Sequence, residues 1–537
     1  MAFLFDGVFA AVRKPGKPVG PLVLLGIFIA VAGSSEAATA PGAFDLGTLP
    51  GSLASYSRAL TPGGQVVGQA LFINPSPNYL QYERAFSWTP SEGMVDLGTL
   101  GGRETIVEAV SPSGQVVGRS ALAGNVHSHA FSWTQSGGLV DLGTLGGSYS
   151  HALALSANGQ AVGVSRTAGD AESHAFLWTE SRGTMIDLGT LGGRDARPYA
   201  VNDSGQVVGS SHTAAGEEHA FSWTESGGMI DLGTLGGTYS VAVAVNANGH
   251  VVGHRALPGN TASRAFSWTQ AGGMIDLGTL GGSYGYPIAV NASGQVVGRS
   301  GITGDTAYHA FSWTEAGGMV DLSMPGSSYS DAIAVTASGQ VVGYAFGPGG
   351  QRAFSWTEVG GMVDLGTLSG GNFSFPIAVN DSGQVVGYSG NFGNSEYRPF
   401  SWTPAGGIVE LESLGGNYSS AIAVNAKGQV AGSSQTTGSA ETHAVFWSTS
   451  QQDPVSLILA VKNLLASGAL GSGNANSLIT KVEGAIQQLD DGNIGPAVNK
   501  LEAFINEVEA LVRSRKLTTE EGQLLTDEAR RIIDALT

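Results

Sequence analysis

Tryptophan occurs at one position of an internal repeat that extends through most of this 537-residue chain. Successive tryptophans are 45 residues apart, except for one spacing of 43 and one of 46: Trp88, Trp133, Trp178, Trp223, Trp268, Trp313, Trp356, Trp402 and Trp447. A second marker, an acidic residue followed by leucine, also occurs nine times: Asp45, Asp96, Asp141, Asp187, Asp231, Asp276, Asp321, Asp364 and Glu410. A fixed period of this length indicates one structural unit whose copies stack on their neighbours.

Each unit contains four segments of strand length. In one unit we predict strands at Pro287 to Val290, Gln295 to Ser300, His309 to Thr314 and Met319 to Leu322. The segments between them contain Asn and Gly, which favour tight turns, so the unit reads as two hairpins. Four short strands in ~45 residues are typical of a β-propeller blade. The 3.6-residue apolar period of helical repeats is not found here.

The two ends of the repeat region complement each other. Ala43 to Leu49 supplies an isolated fourth strand, and the last unit stops after a third strand at Trp447. Pairing these two strands would close the ring without an exposed sheet edge. We therefore predict an all-β propeller of about nine four-stranded blades, closed by the N-terminal strand, over residues 38–448. Because nine exceeds the usual four to eight blades, an open or two-ring arrangement remains an alternative.

The repeated sequence motifs resemble those of a family of bacterial extracellular repeats named HAF. The triplet His-Ala-Phe occurs at residues 129–131, 174–176, 219–221 and 309–311, followed by Trp, by Asp-Leu-Gly-Thr-Leu-Gly-Gly and by Asn-x-x-Gly-Gln-Val-Val-Gly. The resemblance covers residues 44–447, with departures such as Arg84, Arg264, Arg352 and Arg398 in place of His and Pro399 in place of Ala. The resemblance implies a secreted location, and it does not imply any particular biochemical activity.

Residues that recur in every unit are expected to maintain the fold. The His or Arg of each triplet and the acidic residue of each unit predict a structural ion pair between adjacent strands, and the Trp series predicts packing between blades. In a ring, functional residues should instead be those that differ between blades.

The variable positions predict a binding face. An aromatic residue recurs in the segment that crosses to the next blade, and we take this series as the candidate ligand-binding residues: Tyr149, Tyr239, Tyr284, Tyr329, Phe373 and Tyr418. Such rings could hold a polysaccharide or a cell-surface protein. The alternative is that each aromatic side chain packs between blades.

Catalytic, metal and cofactor signals are weak. The chain has no cysteine and none of the common hydrolase, phosphate-binding or dinucleotide motifs, so we assign no catalytic residue, no metal and no cofactor. The pairs His127 with His129 and His250 with His254 lack a third ligand. Asp195, Glu217 and Glu218 are unrepeated acids that an enzyme could use.

Charge argues against nucleic acid as a partner. The net charge is −18, and Lys427 is the single lysine of the repeats, so the surface would repel a phosphate backbone.

The N-terminus reads as an export signal. Basic residues precede an apolar run from Pro21 to Ala32, and Ser35-Glu36-Ala37 predicts cleavage after Ala37. A later cut after Ala40 and an uncleaved anchor are alternatives, although the run is shorter than the ~20 residues that span a bilayer. We expect no membrane span after cleavage and a secreted or extracellular location, with the cell envelope possible.

A separate helical domain is predicted at residues 454–537, after a linker at residues 449–453. Leu501, Phe504, Ile505, Val508 and Leu511 keep one apolar helical face, and Thr518 with Glu521 forms a capping-box pattern. Gly492-Asn493 and the run Asn499 to Asn506 resemble the module called FIMAH, which ends many secreted microbial proteins. The resemblance implies attachment or interaction, and a stabilising tail is the alternative.

The sequence thus predicts a secreted, non-catalytic binding or scaffold protein. Its alternatives are a secreted propeller enzyme that acts on polysaccharide and a purely structural envelope protein.

Overall fold

The computed structural model describes residues 42–73, 81–391, 393, 396–438, 441–448 and 453–537. The predicted signal segment, residues 1–37, and most of the predicted linker lie outside these residues. The described chain is mostly β-sheet and ends in four α-helices.

The strands follow one another in antiparallel groups of four. A short strand, β1 (Phe44–Asp45), precedes them. Group 1 comprises β2 (Ala54–Leu60), β3 (Val66–Ile73), β4 (Gln81–Thr89) and β5 (Gly93–Asp96). Group 2 comprises β6 (Gly101–Val110), β7 (Val116–Leu122), β8 (Ser128–Thr134) and β9 (Gly138–Asp141). Group 3 comprises β10 (Gly146–Leu155), β11 (Ala161–Thr167), β12 (Ser173–Trp178) and β13 (Ile186–Gly189).

The next three groups repeat this order. Group 4 comprises β14 (Gly192–Val201), β15 (Val207–Thr213), β16 (Glu218–Thr224) and β17 (Gly228–Gly233). Group 5 comprises β18 (Ser240–Val245), β19 (Val251–Ala256), β20 (Ser263–Thr269) and β21 (Gly273–Asp276). Group 6 comprises β22 (Gly281–Val290), β23 (Val296–Ile302), β24 (Tyr308–Thr314) and β25 (Gly318–Asp321).

The remaining groups complete the β-rich part. Group 7 comprises β26 (Tyr329–Val335), β27 (Val341–Gly347), β28 (Gly350–Thr357) and β29 (Gly361–Asp364). Group 8 comprises β30 (Phe373–Val379), β31 (Val385–Gly390), β32 (Tyr397–Thr403) and β33 (Gly407–Glu410). Group 9 comprises β34 (Gly415–Val424), β35 (Gln429–Thr436) and β36 (Thr442–Ser448), and β1 pairs with β36. Short 3-10 turns occur at Ala168–Asp170 and Pro258–Asn260.

The predicted four-strand unit is confirmed, but the first strand of group 6 begins earlier than predicted. Gly281 pairs with Ile302, and Tyr284 pairs in parallel with Ser263 of the preceding group. The segment expected to be a crossing loop is therefore the start of the strand, because its backbone groups find partners on both neighbours.

A glycine in each second strand allows the first strand to approach closely. In group 6 the register shifts between Pro287 and Ala289, and a Cβ built on Gly298 would lie 2.1 Å from the carbonyl oxygen of Tyr286. No side chain fits at that distance, so the repeated glycine is a packing requirement of the bulged strand pair.

Apolar packing between groups confirms the structural role of the tryptophans. Trp133 of group 2 belongs to the same buried cluster as Ala59, Val67 and Leu97 of group 1. Trp268 of group 5 packs in the same way with Ala200 and Ala220 of group 4. Each core therefore belongs to two neighbouring groups.

The predicted pairing of the repeated His or Arg with the repeated acidic residue is also confirmed. His129 lies 3.0 Å from Asp141, His309 lies 2.8 Å from Asp321, and Arg84 lies 2.8 Å from Asp96. Each pair links the third strand of a group to its fourth strand. Group 7 differs, because Arg352 donates to Thr367 Oγ1.

Asparagine side chains join the turns of successive groups. The Nδ2 of Asn246 donates to the carbonyl oxygen of Asn291 at 2.9 Å, and Asn291 Nδ2 donates to that of Thr336 at 3.1 Å. The Asn expected only to start a turn therefore also connects one group to the next.

The two ends of the repeat region meet. Phe44 and Asp45 of β1 pair with Phe446 and Val445 of β36. His443 Nδ1 lies 2.8 Å from the carboxylate of Asp45, and Asn425 Nδ2 donates to the carbonyl oxygen of Thr61 at 3.1 Å. The strand pairing and the His–Asp contact found within other groups thus join β1 to group 9, and the asparagine contact found between other groups joins group 9 to group 1.

The C-terminal module consists of α1 (Val455–Ala466), α2 (Ser472–Asp490), α3 (Ile494–Arg513) and α4 (Thr519–Leu536). Leu478, Phe504, Val508 and Leu525 are fully buried in its core. The predicted capping box is confirmed, because Thr518 Oγ1 accepts from Glu521 N and the Glu521 carboxylate accepts from Thr518 N. Within the described residues, no helix combines the length and apolar character required to cross a membrane.

We predict that Gly298→Ala lowers the free energy of unfolding by about 2 kcal/mol, because the new methyl group overlaps the backbone of β22. Urea denaturation followed by tryptophan fluorescence measures the loss. Gly349→Ala is the control, since its Cβ would meet nothing closer than 3.7 Å. Equal effects of the two substitutions would contradict the packing argument.

Candidate functional site

Unrepeated side chains collect at one end of the groups, where the first strand begins and the second strand ends. The position of Tyr284 in group 6 is taken by Glu104 in group 2 and by Asp195 in group 4. Two residues further along the same strand stand Tyr286, His151 and other residues that differ from group to group. The framework does not require one residue type here, so this end is the candidate site.

Ring contacts run through groups 5 to 9 at this end. We call these side chains the aromatic arc: Tyr239, His254, Tyr284, Tyr286, Tyr308, Tyr329, Tyr344, Phe346, Phe373, Phe375, Tyr388, Tyr397 and Tyr418. Contacts between groups include His254 with Tyr286, Tyr344 with Phe375 and Tyr397 with Tyr418, at 5.4, 4.9 and 5.5 Å between ring centroids. Ring contacts therefore connect group 5 to group 6 and groups 7 to 9 to one another, which divides the arc into two halves.

Arg299 joins the two halves of the aromatic arc. Its guanidinium lies over the rings of Tyr286 and Tyr308 at 5.5 and 5.7 Å, and donates to Asp331 Oδ2 at 2.9 Å and Tyr329 Oη at 3.1 Å. Asp331 is 2% exposed, and its Oδ1 has no hydrogen-bond partner among the described residues. Burial raises the pKa of Asp331 to about 6, although Arg299 and Tyr329 oppose the shift.

One imidazole of the arc is neutral. Burial lowers the pKa of His254 to about 4, so at neutral pH the ring carries no charge. Its Nε2 lies 3.0 Å from Tyr239 Oη and forms a hydrogen bond with that hydroxyl group.

Groups 1 to 3 carry several charged side chains toward the same end of their strands. We call this set the charged arc: Arg58, Glu83, Glu104, Glu108, Arg119 and His151. Arg119 lies 2.8 Å from Glu104, and His151 Nε2 lies 2.9 Å from Glu108 Oε1. Burial lowers the pKa of Arg58 and raises that of Glu83. Charged side chains are thus concentrated in groups 1 to 3, whereas ring contacts predominate in groups 5 to 9.

The structure brings together five of the six predicted ligand-binding residues. Tyr239, Tyr284, Tyr329, Phe373 and Tyr418 belong to the aromatic arc. Tyr149 lies outside it, beside His151 of the charged arc. The predicted position in a crossing loop is wrong for five of the six, which lie in first strands: Tyr149, Tyr284, Tyr329, Phe373 and Tyr418. Tyr239 directly precedes β18.

Exposure within the aromatic arc is uneven. Tyr418 and Phe346 are each 37% exposed, whereas Phe373 is 3% exposed. The sequence reasoning missed the second layer of the arc, including Tyr286, Tyr344 and Tyr388. Tyr286 could have been found, because residues two apart on a strand share one face.

The opposite end of the first strands holds an apolar cavity of about 320 Å³. Every group contributes to its lining: Leu60, Val110, Ala157, Asn202, Val245, Val290, Val335, Asn380 and Val424. The amides of Asn202 and Asn380 already donate to the following groups, so the wall offers few free polar groups.

The acids suggested for an enzyme have separate partners. Glu218 Oε1 accepts from Ser210 Oγ at 2.7 Å, and Glu217 lies 3.4 Å from His219 Nε2. Asp195 belongs to β14, whose backbone pairs there with Ser173. Across the described ranges, no cluster of three or more His, Cys, Asp or Glu has the arrangement of a metal site.

Comparison with known families identifies the C-terminal module. Residues 455–534 match the model of the FIMAH domain family, in agreement with the resemblance noted from the sequence. No curated protein matches the chain significantly.

The β-rich part has propeller-like neighbours among solved structures. The β-propeller domain of the Trilobed protease from Pyrococcus furiosus is 9% identical, with a TM-score of 0.35 over 59% of this chain and 97% of that chain. Dipeptidyl peptidase 4 from Porphyromonas gingivalis is 11% identical, with a TM-score of 0.41 over 75% of this chain and 60% of that chain. Virginiamycin B lyase from Staphylococcus aureus is 13% identical, with a TM-score of 0.30 over 65% of this chain and 97% of that chain. The likeness is one of fold alone.

We predict a pH-dependent contribution of Asp331 to stability. Its folded pKa of about 6 lies above its ordinary value of 3.8, so the folded chain binds the proton more tightly and unfolding becomes easier as pH rises between these values. Relative to Asp331→Asn, which does not titrate, the wild type should lose about 2 kcal/mol between pH 4.5 and pH 7. Urea denaturation at four pH values measures this difference. The exposed Glu315→Gln is the control, and a pH-independent difference for Asp331→Asn would refute the prediction.

Proposed function

We propose that this protein is an exported, non-catalytic binding protein whose aromatic arc holds a polysaccharide. The observation that carries the proposal is the concentration of unrepeated side chains at one end of the groups. Repeated residues already account for the packing and pairing of the strands, whereas the aromatic and charged arcs vary from group to group toward the same end of the strands.

The chemistry of the aromatic arc suits sugar rings. Tyrosine offers an apolar face together with a hydroxyl group that can donate or accept a hydrogen bond. Tyr418 and Phe346 are the more exposed members and lie in groups 9 and 7, so a ligand that touches both would extend over several groups. A polymer can make such an extended contact, which favours polysaccharide over a small sugar.

We further propose that the groups are the blades of a closed nine-bladed ring. Support comes from the pairing of β1 with β36, from the hydrogen bond of Asn425 to Thr61, and from a cavity lined by every group. A closed ring leaves no unpaired first or last group and fixes the aromatic and charged arcs relative to one another.

Export is part of the proposal. It rests on the basic and apolar N-terminal residues and on the resemblance of residues 44–447 to extracellular HAF repeats. The FIMAH match at residues 455–534 agrees with it, because the module resembles those that end secreted microbial proteins.

Polysaccharide binding tests the function. We expect the full chain to be retarded in native gels that contain a bound polysaccharide, from a panel of neutral and acidic polymers. The double substitution Tyr418→Ala with Phe346→Ala should weaken binding roughly tenfold or more, since each aromatic contact contributes about 1 kcal/mol. Tyr149→Ala is the matched control, because it occupies the position of Tyr418 in group 3 but lies outside the aromatic arc.

Two outcomes would contradict the proposal. Equal binding by the double variant and the wild type, with unchanged melting temperatures, would remove the aromatic arc from the binding site. Release of reducing ends from any polymer by the wild type would favour the enzyme alternative.

Export has its own measurement. Protein recovered from the medium of a producing bacterium should begin at Ala38, as read by N-terminal sequencing. Protein that stays inside the cell with an intact N-terminus would contradict export.

A further inference from the structure

Group 9 lacks the serine that accepts a hydrogen bond from a glutamine side chain in most other groups. In six other groups a Gln at the start of the second strand donates to a Ser in the third strand, as Gln295 does to Ser312 at 2.9 Å. Phe446 stands at the Ser position of group 9. Gln429 donates instead to Asp453 Oδ2, directly before the helical module, at 2.7 Å.

Asp453 is a buried anchor at the start of α1. It is 7% exposed, and its carboxylate also accepts from Ser448 Oγ at 2.9 Å and from Val455 N at 3.1 Å. A buried carboxylate needs such partners to offset its lost hydration. Residues of group 9 and α1 supply them together.

Apolar packing continues from this anchor. Val455 and Leu459 of α1 are 5% and 8% exposed, and they share one buried cluster with Phe446, Trp88 and Leu46. The ring of Trp88 lies 5.5 Å from that of Phe446 and 5.8 Å from that of Phe44. Strand β1, group 1, group 9 and the helical module therefore meet in one core.

Polar contacts place the helical module on both sides of this junction. Lys427, the single lysine of the repeats, lies 2.7 Å from Asp490 at the end of α2. On the other side, Lys462 Nζ of α1 donates to the carbonyl oxygen of Ser91 in group 1 at 2.9 Å.

We infer that the helical module acts as a clasp. It packs across the junction of groups 9 and 1 through contacts with Gln429, Phe446 and Lys427, and it stabilises the position of β1. Strand β1 pairs at two positions, which is little to join chain segments about 400 residues apart. Through Val455 and Leu459, the clasp adds buried apolar contacts beside that short pairing.

The test uses the full chain with a specific protease site placed in residues 449–452. After cleavage, we expect the helical module to stay bound to the β-rich part in size-exclusion chromatography. Separation of the two pieces would overturn the inference, because it would show a tether rather than a docked clasp.

A second measurement follows the junction in the uncut chain by hydrogen exchange. In Leu459→Ala combined with Gln429→Ala, amides of β1 and β36 should exchange at least tenfold faster, while those of β22 keep their wild-type rates. The matched control is Leu277→Ala, a leucine 5% exposed in the cluster between groups 5 and 6, which should leave β1 and β36 unchanged. Unchanged exchange at β1 in the double variant, or equal acceleration by both variants, would overturn the inference.

Discussion

Contact between one repeat and the next is the constraint on which the structure depends. A single four-stranded group has no core of its own, since Trp133 of group 2 is buried against Ala59 and Leu97 of group 1. The same dependence explains the asparagines that donate from one turn to the following turn, as Asn246 does to Asn291. The first and last groups of such a chain need a packing partner, because each otherwise lacks a neighbour on one side.

The ends meet through a combination of general and special contacts. Asn425 and His443 repeat at the junction what their counterparts do elsewhere, with Thr61 and Asp45 as partners. Phe446 stands where most groups have Ser, Lys427 is the single lysine of the repeats, and both belong to the contact with the helical module. The positions at which group 9 departs from the repeated sequence thus lie on the surface that contacts α1 and α2.

The difference between repeated and unrepeated residues also separates the structural framework from the candidate site. Repeated residues hold strands and groups together, and positions released from that role carry the aromatic arc in groups 5 to 9 and the charged arc in groups 1 to 3. Edge and tilted ring contacts, such as Tyr397 with Tyr418, keep the aromatic side chains ordered while Tyr418 remains partly exposed. Side chains held by such contacts would lose little conformational entropy in the binding that we propose.

The sequence by itself determined the repeat, its four strands, the structural His–Asp pairs and the helical module, because each depends on a local period or on residues close in the chain. Five of the six aromatic residues that it indicated as ligand-binding belong to the aromatic arc, whose other members it did not indicate. It could not place Tyr284 within a strand, since the partner strand belongs to the preceding group.

Only the tertiary structure decided which side chains become neighbours across groups. The link from Arg299 to Asp331, the second aromatic layer and the seat of α1 on Phe446 all join residues that are far apart in the chain or belong to different repeats. Such contacts follow from how one group packs against the next, and that geometry has no local signature in the sequence.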